Sequence, residues 1–225
     1  MKKIMMIAAM MIAALGVNAQ NEVGQFSIMP KAGINIATLT KGENTKSRVG
    51  FAAGVEVAYG VAKNFEITGA VLYSQQGSKA NDIVGGEFDL DENENILGGR
   101  VFNGDATLKL DQINIPILAQ YYIVKGLAIK AGIQPGFAAV KKIGLKGNFY
   151  QGSVQGGNVT PVDDTYSLKG EGVKGFQLAI PVGISYEFAN VVLDARYNIG
   201  VTKAFKDADN KHSVFQITLG YKFPF

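Results

Sequence analysis

Hydrophobic residues alternate with polar ones in eight separate stretches of the chain, and the last stretch shows the pattern most clearly. From Ser213 to Phe225 the residues Phe215, Ile217, Leu219, Tyr221, Phe223 and Phe225 share one face, and the chain closes on an aromatic. A period of two marks an extended strand, because successive side chains point to opposite faces. The same reading places segments near 26–38, 48–60, 64–76, 107–122, 127–141, 173–188, 191–203 and 213–225. The connections alternate in length: long at 39–47, 77–106, 142–172 and 204–212, short at 61–63, 123–126 and 189–190. Even strand number with alternating short turns and long loops predicts an all-β fold, an eight-stranded antiparallel up-and-down transmembrane β-barrel, short turns toward the periplasm and long loops outside.

Strand length agrees. About thirteen residues at roughly 3.3 Å each, tilted by about 45°, rise about 30 Å, the thickness of a hydrocarbon core. On the face assigned to lipid, the aromatics sort into two rings, as interfacial girdles do. Phe51, Tyr73, Phe137, Phe176 and Phe215 fall at the outer end, and Tyr59, Phe65, Tyr186, Phe188, Tyr221 and Phe223 at the periplasmic end. The other face carries Lys31, Asn35, Glu56, Glu66, Asn114, Gln120, Lys130, Gln134, Gln177, Glu187, Asp194, Arg196, Asn198, Gln216 and Lys222. An eight-stranded barrel is only wide enough for side chains. The charged members Lys31, Glu56, Glu66, Lys130, Glu187, Asp194, Arg196 and Lys222 are therefore expected to form a balanced interior network that plugs the lumen, with Asp194 and Arg196 paired on one strand. Pro30, Pro116, Pro135 and Pro181 fall inside strands, where each removes a ladder donor, so a bulge or bend is expected beside each.

Composition narrows the compartment. Lys2 and Lys3, the apolar run from Ile4 to Val17 and small residues at Val17 and Ala19 read as a secretory signal peptide over 1–19, cut near Ala19/Gln20, with the barrel domain over 20–225. The chain has no cysteine, hence no lipid-modified cysteine, disulfide or thiolate chemistry. Its formal charge of +3 includes the two lysines of the leader, and no basic block points to nucleic acid.

Three further features carry candidate chemistry. The acidic run Glu87, Asp89, Asp91, Glu92 and Glu94 gathers oxygen ligands, with Asp89, Asp91, Glu92 and Glu94 as a weak calcium candidate, but it lacks the glycine and closing glutamate of an EF-hand; a solvated loop tip is the expectation. His212, the single histidine, stands beside Ser213 with Asp207 and Asp209 near, a combination that could serve as a general base only if a nucleophile and an orienting group were in reach. No catalytic residues and no cofactor are expected. The glycine-rich stretch 142–172 has no phosphate-binding motif and is expected to be a mobile loop, with continuation as a hairpin above the membrane as the alternative, and Phe149 and Tyr150 could form an exposed contact spot.

The runs K-A-G-I-N-I-A at 31–37, G-F-A-A-G-V-E at 50–56, L-Y-S-Q-Q-G-S-K at 72–79, I-N-I-P-I-L-A-Q-Y-Y at 113–122, A-G-I-Q-P-G at 131–136, D-A-R-Y-N-I-G at 194–200 and V-F-Q-I-T-L-G-Y-K-F at 214–223 occur in an order that resembles the PorT-like, porin-family outer-membrane barrels of bacteria. The resemblance implies an integral barrel of the bacterial outer membrane and, for some members, a link to protein export. It also implies that Tyr221, Phe223 and Phe225 act as the signal read by the outer-membrane insertion machinery. The expected partners are outer-membrane lipid, that machinery and an envelope protein held by the long loops, with the barrel itself a monomer. The function expected is a non-enzymatic structural or interaction barrel; the alternative is a narrow porin or an accessory to export across the outer membrane.

Overall fold

A computed structural model describes residues 22–40, 45–90, 96–153, 156–167, 172, 174–204 and 210–225. The leader at 1–19 lies outside the described residues. The strands are β1 (Phe26–Leu39), β2 (Thr45–Ala62), β3 (Phe65–Leu90), β4 (Ile96–Asn114), β5 (Ile117–Val124), β6 (Leu127–Ser153), β7 (Gly156–Ser167), β8 (Phe176–Phe188), β9 (Val191–Lys203), β10 (Lys211–Tyr221) and β11 (Phe223–Pro224). Eight walls form a ring, because β4 with β5 make one wall, β10 with β11 another, and β7 stands outside the ring beside β6. The ring is closed by β1 against β10, antiparallel from Lys31↔Gly220 to Leu39↔His212. Closure satisfies every wall on both sides, the condition for crossing lipid with strands.

Alternation does what the pattern promised. In β1 and β9 buried and exposed residues alternate almost without a break. All fifteen polar residues assigned to the inner face are buried, and the outer face presents Ile34, Val55, Ile67, Ile129, Ile184 and Leu193. The outer aromatic ring is exposed on the wall at Phe51, Tyr73, Phe137, Phe176 and Phe215. In the periplasmic ring Phe65 is half-buried and Tyr221 departs from expectation: it is 9% exposed, against 38% for Phe223, whose ring centroid lies 4.8 Å away.

Two expected loops are largely strand. Residues 77–106 continue β3 and β4 as one hairpin, paired from Leu72↔Asn114 to Leu90↔Ile96. Residues 142–172 carry β6 on to Ser153 and return as β7, which pairs with β6 alone. The order β3-β4-β6-β7 therefore forms a four-stranded blade that rises from one side of the mouth. Glycine-rich sequence without a lipid face gives no period of two, so the extension is held by backbone pairing that composition cannot reveal.

The prolines correct a second expectation. No bulge stands beside them; the ladder lapses at each and resumes in the same register. Pro116 separates β4 from β5, yet Leu72↔Asn114 and Gly69↔Ile117 keep one register, and the gap is bridged by Ala70 N–H donating to the Pro116 carbonyl (3.0 Å) and Ile115 N–H to that of Pro135 (2.8 Å). Pro181 faces the lapse between Ala131↔Val182 and Gln134↔Ala179. Pro30 falls in the lapse of the closing seam, between Lys31↔Gly220 and Ile28↔Phe223. A residue without an N–H costs least where no partner carbonyl waits for one.

Candidate functional site

The lumen is the only place among the described residues where charged side chains gather out of water, and the strand register stacks them in layers. Nearest the short turns, Lys222 places its Nζ 3.2 Å from Glu66 Oε1 and 3.1 Å from Glu187 Oε2. The Tyr122 hydroxyl donates to the same Glu187 oxygen at 3.1 Å, and the Lys222 ammonium lies 5.8 Å over the Tyr122 ring. Three walls and the end of β10 are tied together at this level.

Above it sits the middle layer. Lys31 Nζ is 2.6 Å from Glu56 Oε2 and 3.6 Å from Asp194 Oδ2, while Lys130 Nζ is 2.6 Å from Asp194 Oδ2 and 3.5 Å from Glu56 Oε1. Arg196 Nε lies 2.9 Å from Asp194 Oδ1, although none of the guanidinium nitrogens finds an acceptor in hydrogen-bond geometry within the protein. The arrangement is a square of two ammoniums and two carboxylates with the arginine beside it, drawn from β1, β2, β6 and β9. These five side chains are inaccessible or nearly so, so their attraction is not screened by solvent. Glycine makes the room: a Cβ on Gly183 would meet Arg196 Cγ at 2.7 Å.

The outer layer is neutral. Gln112 Nε2 donates to Gln177 Oε1 (2.7 Å), and Asn35 Nδ2 and Gln76 Nε2 both donate to Ser74 Oγ (2.8 and 3.0 Å). Asn114, Gln134, Asn198 and His212 surround a cavity of about 20 Å³ here, and a second of about 10 Å³ lies between the two charged layers. Volumes of that order admit a water molecule and little else. At the mouth Arg48 Nη1 is 3.4 Å from Asp111 Oδ1, donates to the Gln76 carbonyl, and shares Asp111 with the Tyr73 hydroxyl (2.7 Å).

The structure thus brings Lys31, Glu56, Lys130, Asp194 and Arg196 into one cluster and Glu66, Glu187 and Lys222 into another. Tyr122 belongs to the same interior, Arg48 and Asp111 close it at the mouth, and all three escaped the sequence reading. Tyr122 follows Leu118 and Gln120 at the inward parity, a signal that was there to use. Asp111 stands at the outward parity of β4, between the inward Leu110 and Gln112, and is buried under its partners Tyr73 and Arg48, which a period of two cannot show.

The other candidates disperse. His212 is buried, no hydrogen-bond partner of either ring nitrogen lies among the described residues, and the Ser213 hydroxyl is bonded to that of Tyr197. Asp207 and Asp209 lie outside the described residues, as do Asp91, Glu92 and Glu94. Asp89 is in β3, near the tip of the blade. Of the aromatic tail, Phe223 and Phe225 are exposed, while Tyr221 lies against the wall.

The outer-membrane protein beta-barrel domain profile matches residues 18–206. No curated protein matched the chain. Among solved structures, Ail, the attachment invasion locus protein of Yersinia pestis, is 15% identical over 90% of this chain and 100% of that one, with a TM-score of 0.44. Neisserial surface protein A is 14% identical over 92% and 99%, with a TM-score of 0.43. OprG of Pseudomonas aeruginosa is 15% identical over 92% and 99%, with a TM-score of 0.39. With the profile covering most of its length, the chain belongs to the outer membrane protein beta-barrel domain family, and so to the bacterial outer membrane.

Proposed function

We propose that this barrel is a non-enzymatic anchor with a closed lumen, which holds the blade β3-β4-β6-β7 outside the cell as a surface for an envelope protein partner. The observation that carries the reading is the pair of ion-paired layers spanning the interior. Charges so placed can be moved aside only by separating buried partners, at about 3 to 5 kcal/mol for each pair broken. The PorT-like motifs of the sequence support the same placement within the family. The blade offers exposed apolar side chains at Val84, Tyr150 and Val159, the kind of residue that a partner covers. The closed ring leaves the barrel no free edge, which favours a monomer, and Tyr221, Phe223 and Phe225 serve as the signal for insertion.

Planar-bilayer recording tests the closed lumen: the refolded protein is expected to give no steady conductance. Stable open-channel currents would replace this reading with that of a narrow porin. Cross-linking through Tyr150 or Val159 in intact cells tests the blade, with a discrete envelope protein attached there as the expected product and recovery of the uncombined chain as the contrary one.

A further inference from the structure

The outer face of the wall carries four adjacent lysines, set in two cross-strand pairs. Lys46 on β2 stands directly opposite Lys79 on β3, and Lys109 on β4 directly opposite Lys142 on β6. The two pairs are neighbours, because Lys79 is paired with Thr107, two residues from Lys109, and residues so related share one face of the sheet. That face is the outer one: Leu108 and Leu110, on either side of Lys109, are buried, while Lys46, Lys79 and Lys142 are exposed. Like charges directly opposite each other destabilise a sheet, and none of the four has an ion-pair partner among the described residues. Asp111, next below Lys109 on that face, is taken by Arg48 and the Tyr73 hydroxyl, and Asp105, above Thr107, accepts from the Asp82 N–H. Further up the blade opposite charges meet again, with Lys146 facing Asp105 on one side and Asp163 on the other.

We propose that Lys46, Lys79, Lys109 and Lys142 form a binding site for the phosphates of an outer-leaflet glycolipid. Three observations select that occupant. The charges lie on the side of the wall that faces the bilayer, away from the lumen, so what neutralises them is a lipid headgroup. They stand just beyond the outer aromatic ring: Lys46 is five residues from Phe51, Lys142 five from Phe137 and Lys79 six from Tyr73, which at about 3.3 Å per residue and a tilt of about 45° is roughly 12 to 14 Å up the wall. From there a lysine stem turns its ammonium back toward the interface, into the layer of headgroup sugars and phosphates. The group is also basic without a compensating acid, which fits a polyanion and repels a cation. A zwitterionic phospholipid brings its own ammonium and leaves the repulsion in place. A phosphorylated sugar headgroup removes it, and turns two costly cross-strand pairs into one anion-binding strip at the foot of the blade.

Native mass spectrometry of the folded protein in a non-ionic detergent, given lipid A with both of its phosphates, tests the site. The expected result is a retained lipid A adduct whose yield falls as salt is raised. Lys79→Gln combined with Lys109→Gln should weaken it by roughly tenfold or more. Lys63→Gln combined with Lys125→Gln, on the short turns at the other end of the barrel, should leave it intact, and lipid A stripped of its phosphates should not be retained. Urea titration gives a second reading. In vesicles of phosphatidylcholine alone the Lys79→Gln, Lys109→Gln protein should be at least as stable as wild type, because the repulsion is relieved, and added lipid A should raise the wild-type midpoint more than that of the variant. Equal retention of lipid A by wild type and that variant, equal retention of the dephosphorylated lipid, or displacement of lipid A by an equal concentration of the soluble polyanion inositol hexakisphosphate overturns the proposal.

Discussion

Asp194 is the carboxylate on which the middle layer converges, and replacing it with asparagine keeps the shape while removing the charge. Its oxygens lie 2.6 Å from Lys130, 2.9 Å from Arg196 and 3.6 Å from Lys31. At an effective dielectric near 20, Coulomb's law assigns about 6, about 6 and about 5 kcal/mol to these attractions. Against them stand the repulsion from Glu56 and the cost of holding the carboxylate out of water, which is several kcal/mol. The variant also changes the layer's balance, since Lys31, Lys130 and Arg196 then face Glu56 alone and two positive charges lie uncompensated at the barrel's centre. The net loss expected for Asp194→Asn is about 3 to 5 kcal/mol, the range for breaking a buried pair from one side. Urea titration of the barrel folded in lipid vesicles, followed by tyrosine fluorescence and by the gel shift of the folded form, measures it. Adding Lys130→Met should recover part of the loss, because it removes one of the stranded cations, giving a coupling on the order of 1 to 3 kcal/mol. A loss below about 1 kcal/mol for the single variant, or strict additivity in the double, would refute the claim that this layer is held by its charges.

Two other changes probe how the backbone makes room for that layer and turns beneath it. Gly183→Ala places a methyl 2.4 Å from the Ala195 carbonyl oxygen and 2.7 Å from Arg196 Cγ, and is expected to lower stability by about 1 to 3 kcal/mol; an unchanged urea midpoint would contradict it. Ala189 holds φ at +49° and Asn190 at +66° in the two-residue turn from β8 to β9, the left-handed pair that such a hairpin needs. Ala189→Gly should therefore raise stability by about 1 kcal/mol by removing the Cβ clash, and a lower midpoint would show that the turn is not strained.

The parts of this molecule that meet lipid were legible in the sequence, because a wall with oil on one side and charge on the other has to alternate. Val191–Lys203 could be read to the residue, and so could the inward assignment of Asp194 and Arg196. Above the membrane that constraint lapses. Glycines 144, 147 and 152 look like loop, yet they belong to a strand ordered by its neighbours β4 and β7. The prolines misled in another way. Each suggested a bulge or a bend, and in place of the bulge the walls omit a bond and keep step. Tyr221 kept its outward parity but not its exposure, since the small residues that let it lie flat come from β1, far away in the chain.

β3, β4 and β6 pass from the wall into the blade with their pairing continued on both sides of the mouth. A pull on the tip would therefore run along the strands and load many ladder bonds side by side, the direction in which a sheet resists traction best, rather than peeling them one after another. A barrel joined in this way to its own outwork is suited to bearing mechanical load applied at the tip.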